Sequence, residues 1–228
     1  MINNTIYFQA FIVGTCIGSF LNVIIYRFPN NLSIISPRSF CPKCKTQLTW
    51  RENIPLMSWL IQGRRCITCK TNISFRYPLI EISTGTFFAI FVNSSPSLYY
   101  SSSNLLLNTS FSWVFLSLLI CIAFVDMDCL WIPQGLLNFG FISGFLGLIL
   151  ISIIGNEFID FFFLLKGVGS SLISFFIFEI FRRIAKYIFK KDAIGKGDSK
   201  LVAMLALWLG PIGTLFAIGF SYVIAAST

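Results

Sequence analysis

Asp126 in "FVDMDCLWIPQG" and Asp198 in "AIGKGDSKLVA" each stand at the edge of a long apolar run. Two carboxylates brought close together cannot both ionise readily, so they share a proton. One then serves as general base on a water while the other, protonated, polarises a carbonyl. The chain contains no His. That removes Ser-His-Asp and Cys-His catalysis, the HExxH metalloproteases and any His-ligated metal. Acid-base work therefore falls to carboxylates or lysines, and only nine Asp and Glu are present.

Most of the other acids have a simpler reading. Glu157 and Asp160 belong to a short polar connection, and Asp192 and Glu52 are expected to pair with basic neighbours. Glu179, in "FFIFEIFRR", lies within one turn of Arg182 and Arg183, the spacing of an i,i+3 or i,i+4 ion pair. Glu81 is harder to set aside, because an ionisable residue at the mouth of an apolar span tends to face the bundle interior. Around Lys196, Gly195 and Gly197 free the backbone from Cβ constraints, giving an extended substrate room beside Asp198. The bland readings of "GKGDSK" are Asp198 as helix N-cap and Lys196 and Lys200 as interfacial anchors. A phosphate loop is excluded, since no G-x4-G-K-[ST] is present.

A second constellation is made of cysteines. Cys41-Pro-Lys-Cys44 and Cys66-Ile-Thr-Cys69 form two C-x2-C knuckles, the pattern of a tetrahedral four-thiolate zinc site. Two disulfides or four free thiols are the alternatives, and a reducing compartment disfavours the disulfides. Such a site has no open position for water, so it holds a loop together and performs no hydrolysis. Cys16, Cys121 and Cys129 read as packing residues.

The elements that must position these groups follow from composition. The 228 residues are 56% hydrophobic and 11% charged, with 26 Phe and a mean hydropathy of +0.80. This is an all-α, polytopic membrane protein. Crossing a ~30 Å hydrocarbon layer takes roughly 20 apolar residues, and about six such runs are visible, near 7–26, 78–98, 104–125, 135–155, 161–181 and 201–224. Helix-packing glycines are expected at Gly140, Gly144, Gly167 and Gly169, and no internal repeat stands out. The organisation is a first transmembrane helix (1–28), a polar zinc-binding module (29–77) and a helical bundle (78–228).

Of the 17 Lys and Arg, nine fall in 27–76 and seven in 182–200. The connections 94–103 and 156–160 carry no basic residue. Positive-inside bias therefore puts 27–76, 126–134 and 182–200 in the cytoplasm. The clustered charge belongs to membrane topology, and nucleic acid is not an expected partner. The two spans between Asp126 and Asp198 cross and return, so both aspartates meet the same face.

Taken together, these motifs resemble the type IV prepilin peptidases. Gly195-Lys196-Gly197-Asp198, followed by Lys200-Leu201, is similar to their G-x-G-D signature. In "VDMDCLWIP", Asp126 stands before Pro133 as their first catalytic aspartate does. "GSFLNVIIYRFP" (Gly18 to Pro29), the paired knuckles and "YPLIE" (Tyr77 to Glu81) resemble the family's amino-terminal half in order. The resemblance implies a plasma-membrane (inner-membrane) aspartic peptidase, with Asp126 and Asp198 as the catalytic pair. It would remove the leaders of prepilins and pseudopilins after a glycine, on the cytoplasmic side where the zinc loop also lies. It also implies N-methylation of the new terminus with S-adenosylmethionine, although no glycine-rich nucleotide fingerprint is present. Two departures stand out. Gln134 replaces an aspartate common after the proline, and two further spans common in the family are missing after "SYVIAAST", as in a short form or a fragment. A non-enzymatic transporter or assembly subunit with a zinc-stapled loop is the alternative from another class.

Overall fold

The computed structural model describes residues 2–92, 105–154, 161–190 and 195–227. Glu157, Asp160, Asp192 and the connections 94–103 and 156–160 lie outside the described residues. Within them the chain is helical: α1 (Ile2–Arg27), α2 (Met57–Ile61), α3 (Arg76–Ile90), α4 (Leu105–Cys129), α5 (Gln134–Ile154), α6 (Phe161–Phe189) and α7 (Lys196–Ser227). No strand occurs among the described residues, only two isolated bridges, Phe40 to Gln47 and Arg65 to Asn72.

Five of these helices, α1 and α4 to α7, are long and apolar enough to cross a membrane. The expected span 78–98 is not among them. Its described helix, α3, has 15 residues, about 22 Å at 1.5 Å per residue, against a ~30 Å hydrocarbon core. The large apolar side chains exposed along α5 and α6, among them Phe139, Ile142, Ile173 and Ile177, suit a lipid surrounding.

The chain divides into two compact units. The first comprises Met1–Val92 and Leu116–Cys129, the second Asn93–Phe115 and Leu130–Thr228. In the first unit α1 and α3 pack together through small residues. A Cβ on Gly14 would come within 2.7 Å of Gly85 Cα, and one on Gly18 within 2.8 Å of Glu81 Cα. Gly14 and Gly18 are one helical turn apart, so both open the same face of α1 to close backbone approach. Asn22, one turn further on, donates from Nδ2 to the carbonyl of Tyr77 at 3.2 Å. Gly18→Val is therefore expected to push α1 and α3 apart. The cost should be about 1–3 kcal/mol of overpacking, read as a lower unfolding temperature in detergent, and an unchanged temperature would contradict this packing.

In the second unit α7 packs on α5 and α6. Met204 and Trp208 are fully buried, and Met204 fills the space left at Gly140. The Trp208 indole N–H donates to the Gly140 carbonyl at 2.9 Å, which settles the one polar atom that a buried Trp carries. Phe111 and Phe115 stack on the same indole with centroids 4.2 and 5.1 Å away. Gly144 lies against Trp208 as a packing glycine should, whereas Gly169 faces open space. On α6 the work is done by serines instead: Ser170 and Ser171 donate to the carbonyls of Ala206 and Ala203 on α7.

α7 is broken. Gly210 has φ 73° and ψ 175°, and Pro211 follows it. Only glycine adopts that backbone readily, and proline supplies no N–H to carry the helix through. Thr214 Oγ1 donates to the Gly210 carbonyl at 2.8 Å, one turn back across the break.

Candidate functional site

The four knuckle sulfurs come together. All lie within 4.8 Å of one another, with Cys41 and Cys69 at 3.9 Å and Cys44 and Cys66 at 4.0 Å. Ligands at about 2.3 Å in a tetrahedron stand about 3.8 Å apart, so the cluster fits one metal ion and none of the four cysteines is in a disulfide.

Local backbone explains the convergence. The hexapeptides 41–46 and 66–71 share the pattern C-x-x-C-K-T and the same turn. In each, the first cysteine's N–H donates to the threonine carbonyl and its carbonyl accepts from the lysine N–H. Lys45 and Lys70 both take the left-handed conformation, with φ 61° and 58°. This two-fold repeat inside the module was missed in the sequence, where the knuckles were counted by their cysteines alone. The trailing K-T was the available signal. The threonines also act on the thiols. The Thr71 hydroxyl, 3.0 Å from Cys69 Sγ, lowers the Cys69 pKa to about 6, and Thr46 lowers that of Cys44 in the same way. A thiolate is the metal-binding form, so both turns are prepared for a cation.

Arg27 anchors the start of the module. It is buried, and its guanidinium donates to four backbone carbonyls, those of Ser33, Ile34, Pro37 and Arg38. Glu52 was expected to pair with basic neighbours. Instead its Oε2 accepts from the backbone N–H and hydroxyl of Thr49, both at 2.8 Å. Glu179 does form its expected pair, with Arg182 at 2.6 Å and Arg183 at 3.2 Å.

Asp126 lies exposed in the last turn of α4, beside the fully buried Val125. The helix ends at Cys129, where Leu130 turns left-handed with φ 52°. Arg76, at the start of α3, grips this turn from both sides. One nitrogen contacts the Asp128 carboxylate and the other donates to the Phe124 carbonyl at 3.0 Å. No sequence signal tied Arg76 to Asp128, because 52 positions separate them.

Asp198 is not the N-cap of α7. The helix begins at Lys196, and the Asp198 carboxylate reaches back to accept the Gly195 N–H at 3.1 Å, as the third helical residue of a capping box does. Gly197 lies within the first turn, where a Cβ would meet Ile132 at 3.4 Å, an ordinary contact. Neither glycine has a positive φ. What they contribute is therefore space and not a special backbone. Lys200, one turn on, donates to the Gln134 side chain.

The first unit also contains a cavity of about 350 Å³ between α1, α3 and the cysteine module. Glu81 lines it, largely buried, with Oε2 accepting the Leu56 N–H at 2.8 Å.

Comparison with known proteins gives a consistent picture. Residues 12–94 match the bacterial peptidase A24 N-terminal domain, and residues 113–228 match the type IV leader peptidase family. A "Prepilin leader peptidase/N-methyltransferase" of Myxococcus xanthus is 38% identical, over 87% of this chain and 55% of its own length. A "Type 4 prepilin-like proteins leader peptide-processing enzyme" of Escherichia coli is 32% identical, over 89% of this chain and 77% of its own. A Klebsiella pneumoniae protein with the first of these names is 32% identical, over 88% and 83%. The chain thus spans about half the length of the Myxococcus relative. No solved structure matches it.

Proposed function

This chain belongs to the type IV leader peptidase family, and from that premise we propose that it removes the leaders of type IV prepilins and pseudopilins. Cleavage falls just after a glycine, on the cytoplasmic side of the plasma membrane. The observation that carries this reading is the family match over residues 113–228, which contains both Asp126 and Asp198. Every relative reported above is named for leader processing or peptidase activity, and none for transport.

Asp126 and Asp198 form the proton-sharing pair. Support comes from the chain's course: α5 and α6 are both candidate spans, so two crossings return it to the face it left. That parity does not depend on α3. The ionised carboxylate draws a proton from water, whose oxygen attacks the scissile carbonyl carbon. The protonated carboxyl hydrogen-bonds the carbonyl oxygen as it gains charge, and the leaving nitrogen takes a proton as the C–N bond breaks. Gly197 leaves room for the substrate backbone at this point. The test is a membrane reconstitution with a prepilin. The wild-type chain should release the leader, and no release contradicts the reading.

Arg76 positions Asp126 by fixing the turn on either side of it. Arg76→Gln should lower the leader-cleavage rate by about tenfold through misplacement, with Arg76→Lys recovering part because it keeps a single charged donor. A Gln variant cleaving at the wild-type rate removes this role.

The four cysteines hold zinc, which locks the module 29–77 as a structural ion. N-methylation of the new terminus follows cleavage. When bound, S-adenosylmethionine supplies a methyl group on a sulfonium sulfur, which leaves as a neutral thioether once the terminal amine has taken the methyl and lost a proton to water.

A further inference from the structure

A second hollow in the first unit, of about 220 Å³, lies at the end of α1. Phe20, Val23 and Arg27 line one side of it, and Ile35, Arg38 and Trp50 of the module line much of the other. The three α1 residues recur at i, i+3 and i+7 and so share one face of the helix. That face is opposite the one bearing Gly14, Gly18 and Asn22, which packs on α3. The hollow therefore borders the side of α1 that α3 leaves uncovered, where Phe20 is 50% exposed.

The hollow changes character along its length. Phe20 belongs to the candidate span Asn4–Arg27, and from Phe20 to Arg27 the helix rises about 10 Å. Arg27 ends that span, and the Arg38 carbonyl accepts from its guanidinium. An apolar end inside the bilayer thus leads to a cationic end at its surface. Arg27 and Arg38 are the charged residues that line the space. The Arg27 guanidinium donates to four backbone carbonyls. Arg38 is exposed, and none of the ion pairs found among the described residues includes it. Trp50 carries the Arg51 guanidinium 5.2 Å above its ring. The neighbouring acid, Glu52, is turned to Thr49. Across 29–77 there are eight Lys and Arg and one acid, and a zinc centre of four thiolates, itself net negative, does not reverse that balance. Tryptophan favours the depth at which lipid headgroups lie, and clustered arginines favour an anionic leaflet.

We propose that this hollow seats an anionic phospholipid, with its phosphate at Arg38 and an acyl chain along Phe20 and Trp50. A space of about 220 Å³ holds part of such a molecule, and the rest stays in the bilayer. The lipid ties the module to the membrane surface beside α1. This role requires neither cleavage nor methylation.

The test offers the full chain in detergent phosphatidylglycerol or phosphatidylcholine with the same acyl chains, and counts bound lipid by native mass spectrometry. Wild-type protein should prefer phosphatidylglycerol by about fivefold or more, the effect of one arginine at an anionic surface. Arg38→Gln should remove that preference and leave phosphatidylcholine binding, zinc content and unfolding temperature as they were, while Arg38→Lys keeps most of it. In vesicles of the two lipids, phosphatidylglycerol with a photoreactive acyl chain should label α1 and residues 34–50 of the wild type more than the matching phosphatidylcholine does. Equal retention of the two lipids overturns the proposal, as does a preference that survives Arg38→Gln. Equal labelling of α1 and 34–50 by both probes overturns it without recourse to any variant. Displacement of phosphatidylglycerol by an equal concentration of inorganic phosphate would mark a plain anion site and also overturn it. A chain that shows the preference but cleaves no prepilin loses the peptidase reading alone.

Discussion

Asp126→Asn and Asp198→Asn should each abolish leader removal while leaving the protein in the membrane. Asparagine has nearly the shape of aspartate but can neither take a proton from water nor share one with its partner. Loss of general acid-base catalysis alone is worth about a hundredfold to ten-thousandfold. The two effects should not multiply in the double variant, because the carboxylates act as a unit. Stability should respond differently at the two positions. Asp126 is exposed at the end of α4, so its replacement should be nearly neutral. Asp198 accepts the Gly195 N–H, and an amide oxygen can still do so, but the negative charge at the N-terminus of α7 is lost. That interaction is worth about 0.3–1 kcal/mol. A cleavage assay on co-expressed prepilin separates the cases, and full processing by either single variant ends the two-aspartate account.

Removal of the metal should have the second large effect. The module 29–77 has no strand ladder and only two isolated bridges, and its longest helix, α2, has 5 residues. So small a polar segment cannot hold itself together by burial, and the four thiolates at its centre must supply much of what does. Apparent binding free energies of structural zinc are about 10–16 kcal/mol near neutral pH. Chelation, or paired replacement of Cys41 and Cys66 by Ser, should release about one zinc per chain and make the module sensitive to protease, while α4 to α7 stay helical. Acidification should act in the same direction, because protons compete with the metal for thiolates. A variant with all its zinc retained would refute the four-thiolate site.

Much of this was legible in the sequence because membrane helices and metal knuckles are written in local patterns. Apolar length gave the existence of α1 and α4 to α7, although α6 runs on to Phe189 and α7 begins at Lys196, where charged residues lengthen the helices beyond their apolar stretches. The spacing Cys41 to Cys44 and Cys66 to Cys69 gave the cluster. The i,i+3 and i,i+4 relation of Glu179 to its arginines is equally local. Where contacts are long-range the sequence was silent. The grip of Arg76 on Asp128 and on the Phe124 carbonyl depends on how α3 meets α4. The hydrogen bond that Glu81 accepts from the Leu56 N–H depends on how the module folds over α3. Glu52 misled for the opposite reason. Its basic neighbours were visible, but a backbone N–H three residues away was nearer and fixed in place. Gly210-Pro211 was a readable break inside a run taken as one span, since the pair punctuates helices by its chemistry. α3 was read as a full span from its hydropathy, whereas its described helix ends at Ile90.

The central claim is that this chain processes prepilins at Asp126 and Asp198. The most direct measurement is the intact mass and N-terminal sequence of a prepilin co-expressed with the wild-type chain and with each Asn variant. The account predicts a pilin shortened just after its leader glycine and one methyl group heavier at the new terminus with the wild type. With either variant it predicts an uncut precursor. A precursor that keeps its leader in the presence of the wild-type chain would contradict it.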